Sequence, residues 1–409
     1  MKALSKVLAA LSMGALSAVA PALAQAADPA PIRLGTVQPF SGSLAVYGHD
    51  TQPVIEYMVG KINAQGGIKS MGGAKIEIVS ADDGGKPAQT AAEARRLITE
   101  EKTSILLGTM LTNHALALSP VLDEYKVPGL SLFGAGTKSS YLFSLGLPYE
   151  RGYAKSMVDF LDFLREKGVP VKRVATAYSN YEGAQQVNAA ITALLTQRGY
   201  ELVGDVPLDM KASDLLPAML KIRSLKPDAV LGIRLRPEAV KLQRARYDLN
   251  YYDGIFIEAT GGADPGFWAD LGDDVAQKAL LNNTFALSLY SHAALASARE
   301  LAEEMDKSGK LTDTFGQYAV SAAQAVLVIK TALEQAGSTD PEKLRQALAA
   351  VDLPLGSPDM VLPRANGVSF AEDRLVKDGS TLVVQWTRDR ATEVVYPAKF
   401  ASTQPRLNR

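Results

Sequence analysis

From residue 32 onward, short apolar runs alternate with longer stretches whose apolar positions recur every three to four residues. Residues 32–37 read as a strand. Residues 52–64 read as a helix, because Val54, Ile55, Met58 and Ile62 fall on one face and Gly66 and Gly67 follow as a stop. Residues 75–80 alternate as a strand, with Ile76 and Ile78 on one side. Pro87 opens a helix that buries Ala91, Ala94, Leu97 and Ile98, a proline being well tolerated in a first turn. Residues 104–107 and 129–133 are further strands. This β-α-β-α order predicts a parallel sheet covered on both faces.

After a break at 143–150 the alternation restarts. It predicts helices at 151–167, 183–198, 213–224 and 237–248, with strands at 173–178, 202–206, 229–233 and 254–258. Two α/β units of similar size therefore stand in tandem. From residue 293 the character changes to Ala-rich helices at 293–307, 317–335 and 341–350, then strands at 381–386 and 392–396. Helices followed by isolated strands do not build a third α/β unit. They are expected to complete the first two, so the chain crosses between lobes more than once. The expected fold class is α/β, with two doubly wound parallel-sheet lobes.

The first 26 residues follow another pattern. Lys2 and Lys6 give a positive start, residues 7–20 are apolar or small without a charge, and Ala22, Ala24 and Ala26 offer small-x-small cleavage positions. This is the pattern of a secretory signal peptide. Its apolar stretch of about 14 residues is shorter than the roughly 20 a spanning helix needs. The chain has no cysteine, which excludes lipid attachment at a cleaved Cys, disulfides and thiolate metal sites. A non-lipidated protein of the bacterial periplasm is expected.

Charge and chemistry narrow the class further. Lys plus Arg number 43 against 44 Asp plus Glu, so no basic field invites nucleic acid. The histidines are His49, His114 and His292, and no His-Glu-x-x-His, Gly-x-Ser-x-Gly or Walker loop is present. Residues 134–139 fall one glycine short of a dinucleotide fingerprint. Asp82-Asp83-Gly84-Gly85 reads as a strand-to-helix turn, because calcium's spaced oxygen ligands are missing. No metal, cofactor or catalytic group is expected, and the chain leans towards binding.

In open parallel sheets, ligands sit outside the carboxyl ends of strands, where helix N-termini suit a carboxylate. Three loops of the first unit qualify: 38–48 with Ser41 and Tyr47, 109–114 with Thr112 and Asn113, and 134–137 with Ala135, Gly136 and Thr137. Thr137 reads equally as a helix N-cap.

These residues carry a family resemblance. Ser41-Gly42 with Tyr47-Gly48, then Asn63-Ala64-Gln65-Gly66-Gly67-Ile68, Asp82-Asp83 and Pro87 are similar to the leucine/isoleucine/valine-binding protein family. Asn180-Tyr181-Glu182-Gly183, Ser213-Asp214 and Pro227-Asp228-Ala229-Val230 extend the likeness, which runs from about Ile32 to Tyr396. The family comprises periplasmic type I solute-binding proteins of ABC importers. The resemblance implies a first lobe of 32–144 plus 288–363, a second of 145–287 plus 364–400, a tail at 401–409 and a three-segment hinge. Closure of such hinges around ligands is a known switching motion.

By the same resemblance Tyr47 covers the ligand, and Thr112 with Asn113 holds its carboxylate. Ala135 and Thr137 would share that role, and Tyr181 would face them from the second lobe. The second lobe departs from the amino-acid pattern. Leu235 stands where leucine binders place a tyrosine, and the acidic partner of the ammonium is missing near Thr260-Gly261. Glu258 is the nearest acid. Arg234, on even terms with a solvated strand end, would face a carboxylate, while Arg236 is expected to point into water. A buried ammonium without a partner is costly. The expected ligand is a small organic or aromatic acid, ahead of a branched-chain amino acid or amide. The expected partners are that small molecule and a membrane permease, with the protein acting as a monomer. A sensor protein of the same fold is the alternative, and a secreted enzyme the third.

Overall fold

The computed structural model describes residues 29–134, 137–292, 294–311 and 315–408. The signal segment, Ala135 and Gly136 lie outside them. The first unit runs β1 (Ile32–Gln38), α1 (Ala45–Ala64), β2 (Ile76–Asp82), α2 (Pro87–Thr99), β3 (Ile105–Gly108), α3 (Thr112–Tyr125), β4 (Gly129–Ser131) and β5 (Leu142–Ser144). Its five strands form a parallel sheet in the order β2-β1-β3-β4-β5. The alternation along β1 explains its two faces. Ile32 and Leu34 join the core under α1, whereas Val37 joins Ala94, Leu97 and Leu118 of α2 and α3.

A π-helical turn, Tyr149–Ala154, leads into the second unit. It continues with α4 (Lys155–Glu166), β6 (Arg173–Ser179), α5 (Glu182–Gln197), β7 (Glu201–Leu208), α6 (Leu216–Leu225), β8 (Ala229–Arg234), α7 (Arg236–Asp248), β9 (Ile255–Thr260), α8 (Pro265–Leu271), α9 (Asp273–Ala279) and β10 (Thr284–Ser288). The chain then supplies α10 (Ala296–Ser308), α11 (Gln317–Ala336), α12 (Pro341–Ala349), β11 (Asp352–Leu353), β12 (Val368–Ser369), β13 (Leu382–Trp386) and β14 (Thr392–Tyr396). The second sheet has the order β14-β13-β10-β9-β8-β6-β7. Strands β6 to β10 are parallel, and the two tail strands add antiparallel to the β10 edge.

The late segments do complete the earlier units. Helix α11 packs on α1, with fifteen of its residues buried from Gln317 to Leu333, and Gly337 closes it in the left-handed conformation that spares a Cβ clash. The third crossing differs from the expected 363–364. Ser144 bridges Leu375 and Phe370 bridges Val376, so this stretch extends the open edge of β5 and the chain crosses only between Val376 and Leu382. The tail is also tied down: the Asn408 amide donates to Asn283, whose side chain donates back.

Helix α1 begins seven residues before the expected start at Gln52. Pro53 looks like a helix opener, yet it sits inside α1. Tyr47 is thereby a first-turn residue rather than part of a free loop.

Candidate ligand-binding cleft

The cleft lies where strand ends of the two sheets face each other. From the first sheet, the turn after β3 brings Met110, Leu111 and Thr112, and the turn after β4 brings Phe133. Tyr47 of α1 and Tyr318 of α11 close that side. From the second unit, the turn after β6 brings Tyr181 and Gly183, the end of β8 brings Ile233 and Leu235, and the π-helical turn brings Tyr149 and Tyr153. Val187 of α5 completes the wall. The space between these atoms is about 530 Å³ including its open mouth.

Three helices begin at this space. The residues before α3, α5 and α7 are Leu111, Tyr181 and Leu235, all lining the cleft. None caps its helix with a side chain. Their positive dipole ends therefore face the cleft without a capping side chain from the preceding residue, an arrangement that suits an anion.

The lobes touch across the seam. Thr112 Oγ1 lies 2.9 Å from the Tyr149 hydroxyl. A Cβ on Gly183 would stand 2.8 Å from Thr112 Oγ1, so only glycine lets the starts of α3 and α5 approach this closely. Tyr47 and Tyr318 rings lie 4.9 Å apart, and Phe133 meets Tyr318 edge-on at 5.2 Å. The Tyr47 side chain is buried, and its hydroxyl makes no hydrogen bond within the described residues. It is turned toward the Arg236 backbone N–H and the Tyr318 hydroxyl without reaching bonding geometry with either. Burial pushes the hydroxyls of Tyr47, Tyr153, Tyr181 and Tyr318 well above the ordinary tyrosine pKa, so they stay neutral.

Of the residues read from the sequence, Tyr47, Thr112 and Tyr181 come together here. Asn113 is half-buried one position further along α3, and its Oδ1 accepts the His114 amide. Ser41 is exposed, with its backbone N–H donating to Asp82 Oδ1. The same oxygen accepts from Phe40 and Gly84, so the aspartate pair does form a strand-to-helix turn. Thr137 is half-buried and caps no helix, because β5 follows it. Thr260 ends β9 opposite Arg234 in register.

Arg234 and Glu258 do not reach the cleft wall. Both are fully buried, and Arg234 Nε donates to Glu258 Oε2 at 2.5 Å. The remaining guanidinium N–H groups donate to the carbonyls of Ala177 and Ile257, and Glu258 Oε1 accepts from Gln243. Each charge answers the other inside the sheet, which corrects the expectation that either faces a ligand. Arg236 is corrected too. It is buried rather than solvated, with Nε donating to Asp270 at 2.7 Å and Nη1 3.5 Å from Asp264. Among the described residues no three His, Cys, Asp or Glu side chains gather to hold a metal ion, and no helix is long and apolar enough to cross a membrane.

Sequence reasoning missed Tyr149, Tyr153, Phe133 and Tyr318. Tyr318 had no local signal, since it sits in a helix that is buried nearly all round. Leu235 carried one: an apolar residue just past a strand end, immediately before a helix.

Residues 31–390 match the family model described as periplasmic binding protein. A relative spanning 99% of this chain and all of its own length is Leu/Ile/Val-binding protein homolog 7 of Brucella abortus (strain 2308), 27% identical over 421 residues. Leu/Ile/Val-binding protein homolog 8 of Brucella suis biovar 1 is 24% identical over 433 residues, with the same coverage. Among solved structures, a branched-chain amino acid transporter substrate-binding protein of Streptococcus pneumoniae, in complex with isoleucine, superimposes with a TM-score of 0.70 at 21% identity. It covers 90% of this chain and 100% of that one. An ABC transporter solute-binding protein from R. palustris, in complex with 4-hydroxybenzoate, gives a TM-score of 0.74 at 21% identity, over 92% and 98%. At these identities the structural likeness speaks for the fold.

Proposed function

Since the chain belongs to the periplasmic binding protein family, we propose that it captures a small carboxylate-bearing solute by closing its two lobes and delivers it to a membrane permease. The observation that carries this reading is the meeting of three helix starts without side-chain caps on one cleft. Ligand contacts from both lobes stabilise the closed form, because equal affinity for open and closed states shifts nothing. Tyr47, Thr112 and Tyr181 are the proposed contacts among the residues read from the sequence. The protein works as a monomer in the periplasm, reached through the signal segment, and releases its ligand chemically unchanged.

A second reading, capture of a branched-chain amino acid or amide, is favoured by the names of the Brucella relatives and by the isoleucine in the Streptococcus structure. Small-angle scattering with amino acids, aromatic acids, dicarboxylates and amides tests the common core of both readings. Compaction with at least one of these solutes is expected; a radius of gyration that stays constant with all of them would overturn solute capture.

A further inference from the structure

Resting on the solute-capture reading, the lining of the cleft narrows the ligand. Five tyrosines and Phe133 face it, together with aliphatic side chains, and among the described residues no Lys, Arg, Asp or Glu is part of the wall. The charged groups behind the second-lobe wall are engaged elsewhere. Arg234 holds Glu258, Arg236 holds Asp270 with Asp264 beside it, and Glu238 accepts the Ser179 hydroxyl at 3.0 Å. An ammonium group brought into this space meets no carboxylate among the described residues of the wall, and burying it unpaired is costly.

Three features remain to be matched by the guest. The helix starts call for an anion. The rings call for a flat body that offers edge and face contacts, which are worth about 0.5–1.5 kcal/mol for each aromatic pair. The Tyr47 hydroxyl is buried on the wall with no hydrogen bond among the described residues, and a buried hydroxyl left unmatched is destabilising. We infer that the ligand is an aromatic monocarboxylate without an ammonium group, whose ring carries a hydrogen-bonding substituent that meets Tyr47.

The test is titration calorimetry on the full mature chain, unfolded and refolded to strip bound solute. The probes are 4-hydroxybenzoate, benzoate, phenylalanine and leucine. The hydroxylated acid is expected to bind about tenfold tighter than benzoate, the value of one added hydrogen bond. Both amino acids are expected to bind more weakly than benzoate. Tyr47→Phe keeps the ring and should erase the difference between the two benzoates. Leucine or phenylalanine binding tighter than both benzoates would overturn the inference, as would equal affinity for the two benzoates. So would silence with all four probes. If scattering still shows compaction with another solute, the capture reading survives that failure; if it shows none, both fall together.

Discussion

Both lobes end parallel strands at the cleft, but they handle charge differently. Among the described residues the first lobe buries the pair His114 and Asp83, 3.5 Å apart beneath the β2–α2 turn, and a single arginine, Arg364, which donates to the Leu145 and Asp378 carbonyls. Burial holds the His114 pKa below its ordinary value, so the ring is neutral there. The second lobe buries three arginines. Arg234 pairs with Glu258, Arg236 with Asp270, and Arg246 donates to the carbonyls of Tyr251, Ala279 and Asn282. Strand β8 explains the first of these. It lies between β6 and β9, so its side chains are covered on both faces and a charge there must find a partner inside. A charged residue near a strand end is therefore weak evidence for a ligand site when the strand is central. Apolar and tyrosine residues just beyond that end line the cleft instead.

Removing one of the paired charges tests this contrast most severely. Arg234→Leu leaves Glu258 buried without its cation and is expected to cost about 3–5 kcal/mol of stability in urea denaturation, with ligand affinity retained where the protein is folded. Lost affinity at unchanged stability would return Arg234 to the ligand site and erase the contrast.

A smaller effect is expected at the seam between the lobes. Gly183→Ala sets a methyl 2.8 Å from Thr112 Oγ1 across the seam and 3.1 Å from Tyr181 Cε2 within its own lobe. Overpacking of this kind costs about 1–3 kcal/mol, here taken from ligand affinity. The ligand-free melting temperature should fall only slightly, and ligand-saturated scattering should show a wider particle. Full affinity in this variant would remove the α3–α5 contact from the closed state.

The smallest effect concerns pH. The raised pKa values of Tyr47, Tyr153, Tyr181 and Tyr318 keep these hydroxyls neutral in the folded protein. Below the ordinary tyrosine value of about 10, folded and unfolded chains are both protonated, and the four add no pH dependence. Above it the unfolded chain ionises first, so stability should decline as pH rises past about 10, as denaturation midpoints across a pH series would record.

Much of the first lobe's share of the site was legible, because it lies on turns whose polar and glycine residues stand out between apolar runs. Thr112 was readable as a strand-end residue, and Tyr181 likewise in the second lobe. Tyr47 was readable as a cleft residue but not as helical, since Pro53 mimics a helix start. Tyr318 was not legible at all. Its helix is apolar around its circumference, and nothing local marks the turn that meets the cleft.

Periodicity is a short-range property, which is why two tandem α/β units, the late helices that complete them and the absence of known catalytic motifs could all be read from residue order. Which polar groups face a guest is a long-range matter. Arg234 and Glu258 are 24 residues apart and satisfy each other inside a sheet. Tyr47 and Tyr318 lie 271 residues apart in sequence and meet at one wall. Desolvation and pairing depend on what folding brings alongside a group, and no window of neighbouring residues contains that partner.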